Sequence, residues 1–318
     1  MNMHKKNDNE NNGFEKVNQI DLRKGMKVSE LTEEMSKSGV MGAGRIAKAV
    51  EIYKDMKKNN AAIFFGLAGA MVPGGMKKII TDLIEKGYIS VLVSTGANLT
   101  HDVIEALGYS HFQGKSDADD AELRKKGIDR IYDSFMPSKV YVAMEKFFNQ
   151  HFDELSRQKN IKDFLWKLGS LLPDDRQNKS ILKTCFAHKV PVFCPAIADS
   201  GIGLMIWSNI AQNKSTDINA FDDLREIIDI AWTNKVKGVV YIGGGVPKNY
   251  IQQAMQFSTP AQFGIQITMD RPEHGGSSGA ELREGISWGK ISEKGKFVDV
   301  ICDATIALPL IAASVFAE

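Results

Sequence analysis

A parallel-sheet α/β fold with helical additions is what this sequence predicts, on three observations. Its apolar runs, such as "AAIFFGL", "ISVLV" and "KGVVYI", are continuous and do not alternate, as strands buried on both faces should be. Each run ends in a turn of glycines and other small residues. Each turn leads into a stretch with helical spacing of its apolar residues, so strand, turn and helix recur as one phrase.

Taken in order, the first 27 residues open on "MNMHKKNDNENNGF", a polar, Asn-rich tail expected to be disordered, with no apolar core for a signal peptide. From Val28 to residue 318 a single domain is expected. "VSELTEEMSKSGVMGAGRIAKAVEIYKDM" has helical spacing, broken near Gly39 to Gly44. "AAIFFGLAGAMVPGG" should be a strand and turn feeding the helix "MKKIITDLIEKG", which Gly87 closes. "ISVLVSTGAN" leads into "LTHDVIEALG". The stretch from about Tyr109 to Ser180 is expected to be mainly helical, an added layer on the sheet. "VPVFCPAIADSGIG" returns to the strand pattern, and "KGVVYIGGGVP" runs into "KNYIQQAMQF". "FGIQITMD" and "KFVDVICDAT" are further strands, and "ALPLIAASVFAE" is a closing helix.

Composition excludes several function classes. The 318 residues are 43% hydrophobic and 25% charged, with a formal net charge of +1. No global field draws the chain to nucleic acid or to an anionic membrane. No run reaches the ~18 consecutive apolar residues of a membrane span. Cys185, Cys194 and Cys302 lack CxxC spacing, which fits a reduced, cytoplasmic setting; Cys194 and Cys302 lie in apolar runs and read as small buried hydrophobes. The six histidines show neither HxH nor HxxxH spacing, so no metal site is expected. No G-x-S-x-G elbow is present.

In open α/β sheets ligands bind beyond the carboxyl ends of the strands. There the chain places "GLAGAMVPGG" (66–75), "STGAN" (94–98), "ADSGIG" (198–203), "GGGVPKN" (243–249) and "CDAT" (302–305). None is a GxGxxG or Walker A motif, but together they suit close backbone approach to a pyrophosphate. Asp199 and Asp303 could bind a ribose or cap a turn or helix. His101 follows "ANLT", where a helix start would lower its pKa. "GISWGKI" (285–291) sets Lys290 beside Trp288 and Gly289. Alone, the heptapeptide describes a solvated lysine; desolvation would instead free its amine as a nucleophile.

"GGSSGAELREG" before "SWGKI", with "VPVFCPAIADSGIG", "GGGVPKN", "AMVPGGMKKIITDLIEKGYISVLVSTGANLTHDVIEA" and "CDATIALPL", resembles the deoxyhypusine synthase family, in order, from about Leu31 to the C-terminus. The resemblance implies a Rossmann-like NAD-binding fold and a homotetramer with active sites at subunit interfaces. It implies transfer of an aminobutyl group from a polyamine, through a lysine imine, to a lysine on a protein acceptor. Lys290 aligns with the imine-forming lysine, Trp288 with an apolar wall beside it, and Glu284 with an acid that holds a polyamine nitrogen. Gly69, Ala70, Met71, Thr95, Gly96, Ala97, Asp199, Asp303 and Ala304 match NAD-contacting positions.

The departures are in the substrate reader. Leu204 stands where family members carry an acid, and Asn249 where they carry a histidine. His274 and Ser277 replace acids of the glycine-serine stretch, and His101 replaces an acid that meets the cofactor. Fewer carboxylates means less compensation for a desolvated polyamine, so a donor other than spermidine in its usual pose is expected. Two other functions fit the same residues: a homospermidine synthase-like enzyme with a free diamine acceptor, and a non-catalytic NAD-binding paralogue.

Overall fold

The computed structural model describes residues 14–175 and 177–317. Along the chain run α1 (Val28–Ser38), α2 (Met41–Lys58), β1 (Ala62–Leu67), α3 (Lys77–Glu85), β2 (Val91–Ser94) and α4 (Gly96–Ala106). The middle holds β3 (Phe112–Gln113), α5 (Asp120–Lys125), β4 (Ile128–Ile131), β5 (Ser134–Pro137), α6 (Val140–Leu155), α7 (Ile161–Leu171) and α8 (Ile181–Ala187). Then follow β6 (Val192–Phe193), α9 (Gly201–Ala211), α10 (Ala220–Thr233), β7 (Lys237–Ile242), α11 (Gly245–Gln256), β8 (Ala261–Thr268), β9 (Ile291–Ile301) and α12 (Ala304–Val315).

Six strands form one sheet in the order β6-β2-β1-β7-β8-β9, every pair parallel. Numbered by appearance within that sheet, the order is 3-2-1-4-5-6, that of doubly wound dinucleotide-binding folds. The direction of winding reverses between β1 and β7, so their carboxyl ends flank a crevice. The continuous apolar runs have the cause expected of them. Ile63, Phe65 and Leu67 of β1 enter the core on one face with α2, α3 and α4, while Phe64 packs on the other face with Ile251 and Met255 of α11.

Two expectations need correction. The middle of the chain is not only helical, because β3, β5 and β4 make a second, antiparallel sheet. Its strands are two to four residues long, too short to show a period. Its β4–β5 hairpin turns at Tyr132 with φ +57°, without the Asn or Gly that usually marks such a turn. The last strand also starts earlier than "KFVDVI" suggests. Ile291 already pairs with Ala261, and a bulge absorbs the polar "SEKG" before Lys296 pairs with Phe263.

Of the polar tail assigned to residues 1–27, residues 1–13 lie outside the described residues. Residues 14–27 contain no helix or strand, but Asn18 N donates to Lys37 O (3.3 Å) and Asp21 N to the Glu34 carboxylate (3.3 Å), both on α1. Cys185 and Cys194 are buried; Cys302 is only partly so, which corrects its reading as a buried hydrophobe. Among the described residues no helix is long and apolar enough to cross a membrane, and no group of three or more His, Cys, Asp or Glu could hold a metal ion.

Candidate active site

Two clusters of candidate residues emerge, one at the carboxyl edge of the sheet and one in a groove along α11. At the carboxyl edge, the turn after β1 carries Gly69, Ala70 and Met71, and the start of α4 carries Thr95, Gly96 and Ala97. Asn98, fully buried, ties them together: its Oδ1 accepts from Met71 N (3.1 Å) and Val72 N (3.3 Å), and its Nδ2 donates to Gly69 O (2.8 Å) and Thr95 Oγ1 (3.1 Å). Sequence reasoning stopped one residue short of Asn98, although "STGAN" contains it. Gly69 turns the chain with φ +71°, and Gly96 permits close packing, since a Cβ there would stand 2.5 Å from Ser200 Cβ. Asp303 caps α12 by accepting from Thr305 N (2.7 Å), with Ala304 in its first turn. Asp199 is exposed, and its carboxylate has no partner among the described residues. The N-termini of α4, α9, α11 and α12 all open after strands at this edge, so amide donors and helix dipoles converge there.

His101 lies behind this cluster, inside α4. Its Nδ1 is 2.9 Å from His111 Nε2, and His111 Nδ1 is 2.7 Å from Glu105, which pairs with Lys77 at 2.5 Å. Burial, helped by the neighbouring His111, pushes the His101 pKa down to about 4. Burial is the main cause of the lowering, not the helix start invoked from the sequence, since His101 lies in the second turn of α4.

A groove of about 350 Å³ runs along α11, between it and the segment from Gly275 to Lys290. Lys290, Trp288, Glu284, Ser277 and Asn249 all line it. His274 does not; it is exposed in a 3-10 turn, Pro272–His274, next to the lining residue Gly275. Backbone bonds fix Lys290, whose N donates to Gly285 O (2.9 Å) and whose O accepts from Ala261 N (3.1 Å). Gly289 makes the turn just before it with φ +68°. Burial lowers the Lys290 pKa, and the nearby Glu284 opposes this. Trp288 acts differently from the wall expected of it. It is 58% exposed, and the Lys290 ammonium lies 4.8 Å from its ring centroid, a cation–π contact that favours the charged amine.

A second lysine supports the groove and was missed in the sequence. Lys248 is 1% exposed; its Nζ donates to Gln266 Oε1 (2.8 Å) and Ala280 O (2.5 Å), pinning the 278–284 segment beside α11. Desolvation pushes its pKa down to about 8, against the pull of Asp299 and Glu284. Nothing in "GGGVPKN" marks this lysine as buried.

Within one chain Lys290 stands far from Asp303, although the Ser277 end of the groove adjoins the carboxyl edge, where Gly245 N donates to Ser278 Oγ (2.8 Å). Lys290 immediately precedes β9 and Asp303 follows it. Between Ala261↔Ile291 and Thr268↔Ile301 the sheet spans seven residue steps, about 23 Å at ~3.3 Å per step. Leu204 is likewise absent from the groove: it sits on α9, 55% exposed, near the equally open Trp207.

Comparison with known proteins places this geometry. The family profile for deoxyhypusine synthase matches residues 30–315. "Probable deoxyhypusine synthase 1" of Methanosarcina mazei is 47% identical over 294 residues, 91% of each chain. "Probable deoxyhypusine synthase 1" of Archaeoglobus fulgidus is 39% identical over 298 residues, 94% of this chain and 97% of that protein. Among solved structures, a protein of Entamoeba histolytica assigned as a deoxyhypusine synthase superposes with a TM-score of 0.62. It is 18% identical and covers 92% of this chain and 94% of its own, a likeness of fold.

Proposed function

The chain belongs to the deoxyhypusine synthase family, and we propose that it is an NAD-dependent transferase that moves an aminobutyl group from a polyamine to a protein lysine through an imine on Lys290. The groove carries this reading. It gathers Asn249, Ser277, Glu284, Trp288 and Lys290 around one lysine whose pKa is lowered by burial.

NAD, when bound, supplies the hydride acceptor that oxidises the donor and later returns the hydride. The carboxyl-edge cluster fits such a group: Asp199 offers an exposed carboxylate without a partner, and helix starts offer amide donors toward a pyrophosphate. Gly69, Ala70, Met71, Thr95, Gly96, Ala97, Asp199, Asp303 and Ala304 would hold it, with Asn98 keeping the first two turns in place.

At the groove the neutral amine of Lys290 adds to the oxidised donor carbon, the carbon–nitrogen bond to the aminopropyl part breaks, and that part leaves as a diamine. Lys290 retains the aminobutyl group as an imine until the acceptor amine displaces it. Glu284 offsets the charge of a substrate ammonium. Asn249 and Ser277 offer hydrogen bonds without charge. The open side of the groove, with Trp288 exposed, leaves room for a macromolecular acceptor.

The ~23 Å between Lys290 and Asp303 along the sheet supports an oligomer, a homotetramer by family analogy, in which a second copy brings its carboxyl-edge cluster toward Lys290. Exposed Leu204, Trp207 and Ile210 on α9 offer apolar surface for such contact. The test is release of a diamine fragment from a panel of polyamines that includes spermidine, in the presence of NAD, read by mass spectrometry. Turnover by wild type and none by Lys290→Arg is expected, because a guanidinium stays charged. Equal release by the variant would overturn the reading.

A further inference from the structure

Four side chains form a line of hydrogen bonds that ends at one open nitrogen. Lys77 on α3 donates to the Glu105 carboxylate (2.5 Å) and to Asn178 Oδ1. Glu105 lies 2.7 Å from His111 Nδ1, and His111 Nε2 lies 2.9 Å from His101 Nδ1. Against its burial, hydrogen bonds from His111 and Lys77 hold the Glu105 carboxyl below its ordinary range, so it is ionised and only accepts. His111 Nδ1 therefore carries a proton, and neutral His111 presents a lone pair at Nε2. His101 must then donate through Nδ1–H, which fixes its tautomer and leaves the lone pair of Nε2 free. That nitrogen has no partner among the described residues and is open to solvent.

His101 follows Ala97 by four residues on α4, so the two share a face, and its side chain leans back toward Ala97. Ala97 is exposed and belongs to the turn proposed to hold the cofactor. The charged groups around the pair are Lys77 from α3, Asp102 and Glu105 from α4, and Asp133, which lines a cavity with His111. Asp102 is already engaged by Ser180 Oγ, Ile181 N and Leu182 N. A proton that arrives at His101 Nε2 while Nδ1–H passes to His111 Nε2 leaves His101 neutral. The charge then rests on His111, against the Glu105 carboxylate, as in a catalytic triad. Burial and the neighbouring His111 make His101 a poor acceptor for a second proton on the pair, and the first belongs to the pair as a whole.

We propose that the Glu105–His111–His101 relay is the proton acceptor of the oxidation step, with His101 Nε2 taking the proton that the donor's secondary ammonium loses before hydride leaves the adjacent carbon. The donor N–H bond breaks and an N–H bond forms at His101 Nε2. The proton displaced from His101 Nδ1 ends on His111 Nε2. The electron pair left on the donor nitrogen becomes the carbon–nitrogen π bond as hydride departs to NAD. His101 is the catalytic residue, and His111, Glu105 and Lys77 position it. The lining of the Lys290 groove contains no imidazole that could do this instead. The inference rests on the proposed polyamine transfer and deepens it.

The test has two arms. Diethyl pyrocarbonate, which acylates accessible neutral imidazole, should modify His101 and spare His111 in the full wild-type chain at pH 7, read by peptide fragmentation, and saturating NAD should slow it. NADH formation from a panel of polyamines that includes spermidine is then compared for wild type, His101→Gln and His111→Gln. Glutamine keeps a hydrogen-bonding group at each position but takes no proton. Both variants should lose about a hundredfold or more in kcat, the range of a general base, with the KM for the donor unchanged. Their rates should climb about tenfold per pH unit toward the pKa of the donor amine, which must now lose its proton to solvent. Wild type should level off above the pKa of the histidine pair. A His101 that is unreactive, or unshielded by NAD, would overturn the inference. So would a wild-type kcat and pH profile in His101→Gln, or a raised KM with kcat kept, and in these cases the transfer reaction stands. Failure of wild type to oxidise any polyamine would remove the transfer reading and the inference with it.

Discussion

Replacing Trp288 by Leu separates two effects that oppose each other at Lys290. Leucine keeps apolar cover over the amine but removes the ring whose centroid lies 4.8 Å from the ammonium. At an exposed site a cation–π contact is worth about 0.5–1 kcal/mol, and Trp288 is 58% exposed. That stabilises the charged amine, so its loss should lower the Lys290 pKa by about 0.4–0.7 unit at ~1.4 kcal/mol per unit. At a fixed pH below the pKa the neutral fraction should then rise about two- to fivefold. Competitive labelling of lysines with an amine-reactive reagent across pH, read at the peptide containing Lys290, measures this without turnover. A Lys290 pKa that is unchanged or higher in Trp288→Leu would refute the reasoning and make burial by the indole the dominant effect.

Asn98→Ala should destabilise the fold by about 3 kcal/mol, because it leaves Met71 N and Val72 N without their acceptor in a buried site. Denaturant melts should show the loss, and NAD affinity should fall with it. Asp303→Ala should cost about 1 kcal/mol by uncapping α12, whereas Asp303→Asn should keep the cap. If both weaken NAD in calorimetry, Asp303 binds it; unchanged affinity in the Asn variant leaves Asp303 as a cap alone. Lys237, fully buried, donates to Ala231 O, Asn234 O and Thr259 Oγ1, and desolvation depresses its pKa to about 8. Between that value and ~10.4 the unfolded chain binds more protons, so this lysine makes stability rise with pH there. Relative to Lys237→Met, wild type should gain stability as pH rises across that window, and a difference that stays flat with pH would count against the burial.

The main sheet was legible because its strands are buried on both faces, which leaves continuous apolar runs and small-residue turns in the sequence. Phe64 and Phe65 are adjacent yet pack on opposite faces. The hairpin at Tyr132 was not legible, since its φ of +57° falls on an exposed residue of a type that rarely adopts it. "SWGKI" marked Lys290, but no local signal says that the strand after it begins at Ile291 and so sets the lysine at the edge opposite Asp303. Lys248 escaped notice for a similar reason. It is an ordinary helix residue whose role depends on the pairing of α11 with a segment some thirty residues later.

The central claim is that Lys290 holds the transferred group. Incubation of the protein with NAD and a panel of polyamines that includes spermidine, followed by borohydride and peptide mass spectrometry, tests it most directly. The account expects an aminobutyl mass added to the peptide that contains Lys290, lost when NAD is left out and lost in Lys290→Arg. An adduct on another lysine, or none on a protein that still releases the diamine fragment, would contradict it.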